Sequence, residues 1–205
     1  GFVETLKSND LPAEKRDKAL DVIEGESRRL QEMISKLLVL SHVERHRNTN
    51  PVLFNLGELL REILAMMRPL ASERSIRIED QNPIPRIDVI NDPELIKIVL
   101  VNLIDNAIKY NVDGGEVRVA ILEEGDHFIA SVSDTGVGIP PKDLEHIFER
   151  FYRVDRNRNI SPGSGLGLSI SKHVLLTLGG EIKAESELGV GTKFTIRVPR
   201  LHAQS

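Results

Sequence analysis

Two amides, a cation and a phenol lie at helical spacing near the middle of the chain. Asn102, Asn106, Lys109 and Tyr110 stand at positions i, i+4, i+7 and i+8, so a helix carries all of them on one face. Amide oxygens suit a hard cation such as Mg²⁺, which prefers oxygen ligands and is shared with substrate phosphates. Lys109 would neutralise phosphate charge, and Tyr110 would pack against a sugar or base. A solvated polar face has the same composition, so this stripe alone leaves both interpretations open.

A carboxylate beside a glycine turn is the second feature. Asp134 follows a predicted strand and precedes Gly136 and Gly138. Glycines let a backbone approach a flat ligand because no Cβ stands in the way. A half-buried carboxylate can accept a hydrogen bond from an exocyclic amine such as that of adenine, and such a bond discriminates against bases without that donor. A tight turn with a capping Asp would have the same sequence.

A glycine-rich turn that opens an apolar helix is the third feature. Gly163, Gly165 and Gly167, with Leu166 between them, stand where that helix begins. Free N–H groups at a helix start, together with the positive end of its dipole, bind phosphate. Many loops carry such a glycine pattern by chance. Here it follows two other nucleotide signals in a compatible order, so we predict one nucleotide site built from all three segments.

The polar stretch at residues 152–164 separates the second feature from the third, and we predict a mobile lid over the phosphates. Arg153, Arg156 and Arg158 could reach the γ-phosphate. Arg153 is favoured, since the aromatic residues within 148–152 could anchor it. An ordinary solvated loop is the alternative.

The elements that must position these residues are read from hydrophobic periodicity and from turn residues. Asp92 and Pro93 form a strong helix start. Strands and helices are mixed and several strands form adjacent hairpins, so we predict an α+β fold, an α/β sandwich with helices on one face of a mixed sheet. The predicted helices are 13–46, 57–72, 93–110, a short one near 144–148, and 166–178; the predicted strands are 52–56, 76–79, 87–90, 116–122, 128–133, 182–186 and 193–198.

The first long helix carries apolar and small residues that alternate by three and four positions. This heptad seam suits a coiled coil or helical bundle, so we predict pairing with a second copy of the chain. Packing of the helix on its own domain is the alternative. A polar break near residues 47–51 predicts a domain boundary, with one domain at 1–48 and another at 51–205. The seam consists of Leu20, Ile23, Ser27, Leu30, Ile34, Leu37 and Ser41.

The composition excludes several classes of protein. A formal charge of −4 argues against a general nucleic-acid binder. The absence of cysteine excludes disulfides and thiolate metal sites. No apolar run approaches the ~20 residues of a membrane span, and no signal peptide is visible. Because the chain starts with Gly1, we expect it to be a cytoplasmic fragment of a longer protein, with any membrane attachment in upstream segments.

These motifs resemble those of the cytoplasmic core of a sensor histidine kinase of a two-component system, and the similarity covers essentially the whole chain. The stripe on the central helix looks like the N box of that family, and the other glycine and aromatic segments look like its remaining boxes. The corresponding segments are 102–110 for the N box, 134–140 for the first glycine box, 148–153 for the F box, 163–170 for the second glycine box and 189–192 for the closing glycine motif.

The resemblance implies the Bergerat-type (GHKL) ATP-binding fold shared with gyrase, mismatch-repair and heat-shock ATPases. It implies Mg²⁺-ATP as the ligand, with Asn106 as the main metal ligand assisted by Asn102, and with Asp134 as the adenine reader. Asn102, Lys109 and Arg153 are then the expected catalytic residues. Residues 1–48 resemble the later part of the dimerisation and histidine-phosphotransfer hairpin. The implied partners are a second copy of the chain and a response-regulator receiver domain.

The chain departs from the family at the phosphoacceptor. The family carries its acceptor histidine in a Ser-His-Glu-Leu-Arg-x-Pro motif on the first helix of the hairpin. Residues 41–45 imitate that motif but lack its proline and lie at the end of the later helix, so we interpret His42 as a plain helix residue. We therefore expect ATP binding without normal autophosphorylation. The histidines are His42, His46, His127, His146, His173 and His202.

Position 102 separates the possible reactions. Hydrolytic relatives place a Glu there as a general base for water, and Asn cannot accept a proton. Phosphoryl transfer needs positioning and charge neutralisation more than covalent help. The sequence therefore favours a kinase. A nucleotide-gated dimerisation scaffold stays open, and another GHKL-type ATPase is disfavoured by Asn102 and by the segment 148–153.

Overall fold

The computed structural model describes residues 13–45, 50–80, 83–154 and 164–200. Most predicted boundaries agree with it to within one or two residues. In chain order the elements are α1 (Ala13–Arg45), β1 (Val52–Asn55), α2 (Leu56–Ser72), β2 (Arg77–Asp80), β3 (Asp88–Asn91), α3 (Pro93–Lys109), β4 (Glu116–Glu124), β5 (His127–Asp134), a 3₁₀ turn (Pro141–Asp143), α4 (Gly167–Thr177), β6 (Glu181–Glu187) and β7 (Gly191–Pro199).

The main sheet has five strands in the order β2-β4-β5-β7-β6. β2 runs parallel to β4, and the other neighbouring pairs are antiparallel. β1 and β3 form a separate two-stranded antiparallel ribbon. The predicted mixed sheet is therefore confirmed, and with the helices it makes an α+β fold.

Alternating side chains decide which face of the sheet is covered. Val117, Val119 and Ile121 on β4 are at most 1% exposed, whereas Arg118 between them is exposed. Side chains of a strand point alternately to its two faces, so this pattern buries one face and leaves the other open. α2, α3 and α4 contribute most of the remaining buried core. The sheet thus holds its helices on one side, as predicted.

Helix α3 is fixed at both ends by side chains. The Asp92 carboxylate accepts hydrogen bonds from the backbone N–H groups of Glu94 and Leu95, and Pro93 occupies the first helical position. At the other end the Arg74 guanidinium donates to the carbonyls of Ile108, Lys109 and Asn111 at 2.6, 2.8 and 3.1 Å. Arg74 therefore satisfies carbonyl groups that the helix leaves without partners. The apolar face of α3 is fully buried, as its spacing predicts; it consists of Ile96, Val99, Leu100, Leu103 and Ala107.

The predicted short helix near 144–148 is wrong. A 3₁₀ turn over Pro141–Asp143 stands there instead, followed by hydrogen-bonded turns. The Asp143 carbonyl accepts from the N–H groups of both His146 and Ile147. One carbonyl thus serves an i+3 and an i+4 donor, and this tightening ends the helical pattern before a regular helix forms.

Helix α1 has two different faces. Ala19 is 5% exposed and Met33 packs against the core, so one face of α1 lies on the rest of the fold, next to α4. On the seam, by contrast, Leu20 is 50% exposed and Leu30 and Ile34 are each 57% exposed. Packing of the helix on the rest of the chain therefore describes one face, whereas pairing of the exposed seam with a second copy stays a prediction. The side chains of Leu37 and Ser41, and residues 46–49 near the predicted boundary, lie outside the described residues.

None of the helices in the described ranges combines the length and the apolar character that crossing a membrane requires.

Candidate functional site

A cleft of about 110 Å³ opens where α3, the turn after β5 and the start of α4 meet. Segments that are far apart in the sequence supply its walls, and β7 contributes Thr192 and Phe194. The structure therefore brings the predicted segments together. The predicted site residues that line the cleft are Asn102, Asn106, Lys109, Tyr110, Asp134, Gly138, Arg153, Gly165 and Gly167.

Asp134 is held by backbone donors. Its Oδ1 accepts hydrogen bonds from the N–H of Gly136 at 2.8 Å and from the N–H of Thr192 at 3.3 Å. Burial raises the pKa of this carboxyl group to about 6, although both backbone donors act in the opposite direction. The group is thus mostly ionised at neutral pH. Its Oδ2 forms no hydrogen bond within the described ranges, so it can accept one from a ligand.

The glycines after Asp134 serve the protein's own backbone. A Cβ at Gly136 would overlap the carbonyl oxygen of Tyr110, and a Cβ at Gly138, where φ is +67°, would overlap the carbonyl of Glu187. Gly138 lines the cleft, but Gly136 does not. Gly136 thus packs against the protein's own backbone, and its predicted role at the nucleotide stays a prediction. Its missing side chain lets the turn press against the end of α3, where the Val137 N–H donates to the Tyr110 carbonyl at 3.1 Å.

Asn102 is oriented by α4. Its Nδ2 donates a hydrogen bond to the Oγ of Ser171 at 2.8 Å. A Cβ at Gly167 would overlap its Oδ1, so the amide lies directly on the first turn of α4. The sequence reasoning missed Ser171. The available signal was a hydroxyl four positions after Gly167 in a largely apolar helix.

Lys109 is paired inside the cleft. Its Nζ lies 2.7 Å from the Oδ2 of Asp105, one helical turn earlier, and Asp105 itself lines the cleft. The sequence reasoning also missed Asp105, although an acid four positions before a lysine is a recognisable helical pair. Lys109 must therefore exchange this carboxylate, at least in part, for any phosphate that it contacts.

The aromatic segment before the predicted lid is attached to the glycine turn. The Phe151 N–H donates to the Gly165 carbonyl at 3.0 Å, and both residues have positive φ, +65° and +69°. The Tyr152 hydroxyl donates to the Oδ1 of Asp143. This arrangement brings Arg153 to the cleft. Arg156, Arg158 and Gly163, with the rest of the predicted lid from 155 to 163, lie outside the described residues.

Leu166 lies apart from the cleft, and its predicted role in nucleotide binding stays a prediction. Its side chain is completely buried in the core and does not line the cleft, and its N–H faces the Oγ of Ser164 at 3.4 Å. Leu166 therefore fixes the start of α4 to the core, and the neighbouring Gly165 and Gly167 carry the backbone that borders the cleft.

The family of histidine kinase-, DNA gyrase B-, and HSP90-like ATPases matches residues 91–202 of this chain. The sensor histidine kinase RppB of Synechocystis sp. is 36% identical over 183 residues, which cover 88% of this chain and 40% of RppB. The sensor histidine kinase YclK of Bacillus subtilis is 32% identical over 206 residues, which cover 97% of this chain and 42% of YclK. The chain thus spans about two fifths of these relatives.

Two solved structures are similar over almost the entire chain. Full-length ShkA in complex with AMPPNP has a TM-score of 0.76 and 26% identity, and the similarity covers 98% of this chain and 42% of that one. The histidine kinase ThkA in complex with the response regulator protein TrrA has a TM-score of 0.75 and 26% identity, and covers 98% of this chain and 56% of that one.

Proposed function

We propose that this chain, which belongs to the histidine kinase-, DNA gyrase B-, and HSP90-like ATPase family, is the ATP-binding catalytic part of a sensor histidine kinase. It would transfer the γ-phosphoryl group of ATP to a histidine imidazole, from which a response-regulator aspartate receives it. The observation that carries the proposal is the single cleft, in which a carboxylate acceptor, two amides and two cations from separate segments face one another.

The adenine end of the proposal rests on Asp134. Backbone N–H groups occupy its Oδ1, while its Oδ2 remains available to accept the exocyclic amine of adenine. Guanine carries a carbonyl oxygen at the corresponding position, and two acceptors facing each other in a half-buried site lose a hydrogen bond. Asp134 would therefore select ATP over GTP.

The metal end rests on Asn102 and Asn106. Among the described residues there is no cluster of three or more His, Cys, Asp or Glu side chains that could hold an ion by itself. Amide oxygens from one helix face suit a cation that arrives with the nucleotide and keeps phosphate and water ligands. When bound, Mg²⁺ would neutralise charge on the triphosphate. Asn106 and Asn102 would hold it, and AMPPNP bound to ShkA supports a nucleotide at this fold.

The phosphates would lie between the cations and the start of α4. Lys109 and Arg153 line the cleft from opposite segments of the chain. α4 begins at Gly167, so its first N–H groups and the positive end of its dipole border the same space. We propose that Lys109 moves its ammonium group from Asp105 towards the phosphates when nucleotide enters.

Transfer to histidine is favoured over hydrolysis by the residues near the metal. Asn102 cannot act as a base, and its nitrogen is engaged by Ser171. Asn102 is therefore not arranged to activate water, and an imidazole presented to the cleft is the nucleophile that fits.

The partners form a further part of the proposal. The exposed seam of α1, with Leu20, Leu30 and Ile34, would pair with a second copy of the chain, and residues 1–48 and 51–205 would be separate domains on the cytoplasmic side of the membrane. The complex of ThkA with TrrA supports a response regulator as the other partner. A monomer at high concentration in light-scattering measurements would contradict the pairing.

The test of the function supplies the acceptor separately. None of the histidines of the chain lies in the acceptor motif, so the chain is mixed with a helical hairpin that carries this motif and with γ-labelled ATP. Label on the hairpin that disappears in a hairpin with the acceptor histidine replaced is the expected result. Nucleotide binding without label transfer would instead favour a scaffold, and release of labelled phosphate into water would favour a hydrolase.

A further inference from the structure

We propose that Ser171 is a positioning residue that presents the oxygen of Asn102, rather than its nitrogen, to the metal-bound nucleotide. The inference rests on the proposed function, because it assumes that Asn102 contacts Mg²⁺, and it adds a residue outside the cleft to that site. Ser171 lies on α4 and is not among the residues that line the cleft.

The hydroxyl of Ser171 is completely buried, at 0% exposure. It accepts the hydrogen bond from the Asn102 Nδ2 at 2.8 Å, and this bond joins α3 to α4 across the core. Because a side-chain amide has a donor end and an acceptor end, its orientation decides whether it can hold a cation. With one of its N–H groups bonded to Ser171, the nitrogen end of Asn102 is turned towards α4, and Oδ1 is the atom of the amide that can hold a cation.

The position of the Asn102 Oδ1 is set by Gly167, a second residue of α4. A Cβ at Gly167 would overlap Asn102 Oδ1, so the oxygen stands in the space that the glycine leaves free. Gly167 and Ser171 are one helical turn apart on α4 and lie on the same face. They hold the two ends of the amide, the oxygen beside the cleft-lining backbone and the nitrogen towards the buried interior.

The loss of the Ser171 hydroxyl has a defined consequence. The Asn102 nitrogen would then be half-buried without its partner, and the amide could turn over and present N–H groups to the cation. A cation is repelled by that end of the amide. The effect should therefore appear in the part of nucleotide affinity that depends on Mg²⁺ and not in the part that depends on adenine.

The experiment compares two buried serines of α4. Ser171→Ala removes the hydrogen bond to Asn102. The control Ser169→Ala removes a hydroxyl that donates its hydrogen bond to the Leu166 carbonyl instead. ATP is titrated by calorimetry with Mg²⁺ and with EDTA. We expect Ser171→Ala to lower the ratio of the affinity with Mg²⁺ to the affinity with EDTA by about fivefold, which corresponds to the net contribution of one hydrogen bond. Ser169→Ala should leave this ratio unchanged. Thermal denaturation confirms that each variant is folded.

The same change made in the Asn102→Ala variant tests whether Ser171 acts by orienting Asn102 or by packing in the core. When Ser171→Ala is added to Asn102→Ala, the ratio of ATP affinity with Mg²⁺ to that with EDTA should not change further. Ser171 acts through the Asn102 amide, which this variant no longer has. Ser171→Thr keeps a hydroxyl and should restore most of the ratio. Equal losses of affinity with Mg²⁺ and with EDTA, or an additional loss in the Asn102→Ala background, would overturn the role of Ser171.

The two proposals fail in different ways. If Asn102→Ala leaves the Mg²⁺-dependent ratio unchanged, Asn102 is not a metal ligand, and that part of the proposed function is wrong. If Asn102→Ala lowers the ratio and Ser171→Ala does not, the metal site stands and the positioning role of Ser171 is wrong.

Discussion

The two walls of the cleft are built from different interactions. The wall around Asp134 is held mainly by backbone groups: the N–H groups of Gly136 and Thr192 bond the carboxylate, and the Val137 N–H bonds the Tyr110 carbonyl. The wall proposed to face the phosphates is held by side chains, through the pairs Lys109 with Asp105 and Asn102 with Ser171.

This difference predicts different behaviour on binding. A wall of backbone groups rearranges only with the chain around it, so we expect the end proposed to bind adenine to be formed before the ligand arrives. The partly exposed pair of Lys109 and Asp105 can exchange partners at lower cost than the buried bond of Asn102 to Ser171. We therefore expect the ligand to complete the end proposed for the phosphates by displacing Asp105 from Lys109. A site of this kind fixes the identity of the base first and allows the phosphate groups to be handed on during reaction.

Asp134→Asn should have the largest effect, because it removes the hydrogen-bond acceptor proposed for adenine and keeps the shape of the side chain. The asparagine Oδ1 can keep both backbone hydrogen bonds, but an N–H donor replaces the acceptor at Oδ2. We expect ATP affinity to fall by a factor on the order of 100 or more, to below calorimetric detection, and Asn106→Asp should do the same at the metal end.

Asp80→Asn is the control, since Asp80 pairs with Arg68 on the surface. The free energy of unfolding should not fall in Asp134→Asn, because the buried charge is removed. Nucleotide titrations that match the unchanged protein in both cleft variants would refute the site.

Gly138→Ala tests whether the adenine wall is a backbone structure. The new Cβ would overlap the Glu187 carbonyl at a positive φ, so we expect the free energy of unfolding to fall by about 2–4 kcal/mol. Gly125→Ala is the matched control, because Gly125 also has a positive φ, +55°, but nothing lies within 4 Å of its Cβ position. It should cost about 1 kcal/mol. Equal decreases of the free energy of unfolding in the two variants, measured by denaturant titration, would show that the contact with Glu187 does not contribute to stability.

The pH dependence of ATP affinity should separate the walls further. Burial raises the pKa of Asp134 to about 6, and in the proposed role the ionised carboxylate accepts the adenine amine. Affinity should thus be constant above pH 7 and should fall by about tenfold per unit well below pH 6. Affinity for inorganic triphosphate, which does not contact Asp134, should not follow this curve.

The stability of the protein should respond to Asp134 in the opposite direction. Its folded pKa lies above the ordinary value of 3.8, so the folded state takes up the proton first. The free energy of unfolding contributed by this group should therefore rise as pH falls from about 6 towards 4. The difference between the protein and Asp134→Asn in denaturant titrations across this range measures it; a difference independent of pH would contradict the raised pKa.

Asp105→Asn should have the smallest effect, and it tests whether Asp105 restrains Lys109. Removing the carboxylate removes one partner of Lys109 and a negative charge from the cleft, so ATP affinity should rise by about two- to threefold. Asp113→Asn is the control, because Asp113 is highly exposed and pairs with Arg74 instead. A fall in ATP affinity in Asp105→Asn alone would mean that Asp105 assists binding rather than restraining Lys109.

Local patterns predicted much of the fold. Alternating apolar residues located the strands, the Asp92 cap located the start of α3, and the α3 stripe reached the cleft as expected. The short helix near 144–148 failed because hydrogen bonds to the Asp143 carbonyl overrode a weak helical pattern. The predicted binding roles of the cleft residues remain predictions.

Apart from Asp105, which lies one helical turn from Lys109, the missed residues share one cause. Ser171 and Thr192 contact Asn102 and Asp134 from positions 69 and 58 residues away, and Arg74 reaches the end of α3 from 34 to 37 residues away. Periodicity shows which face of an element a residue occupies, but not which residue of another element stands opposite it.

The amino-acid sequence alone determined the types of chemical group and the order in which the chain carries them: amides and a lysine on one helix, a carboxylate after a strand and glycines before another helix. These depend on spacing of a few residues, which the geometry of helices and strands translates directly into position. Only the tertiary structure decided how the groups are oriented. The direction of the Asn102 amide and the raised pKa of Asp134 arise from neighbours that packing, and not sequence proximity, brings within hydrogen-bond distance.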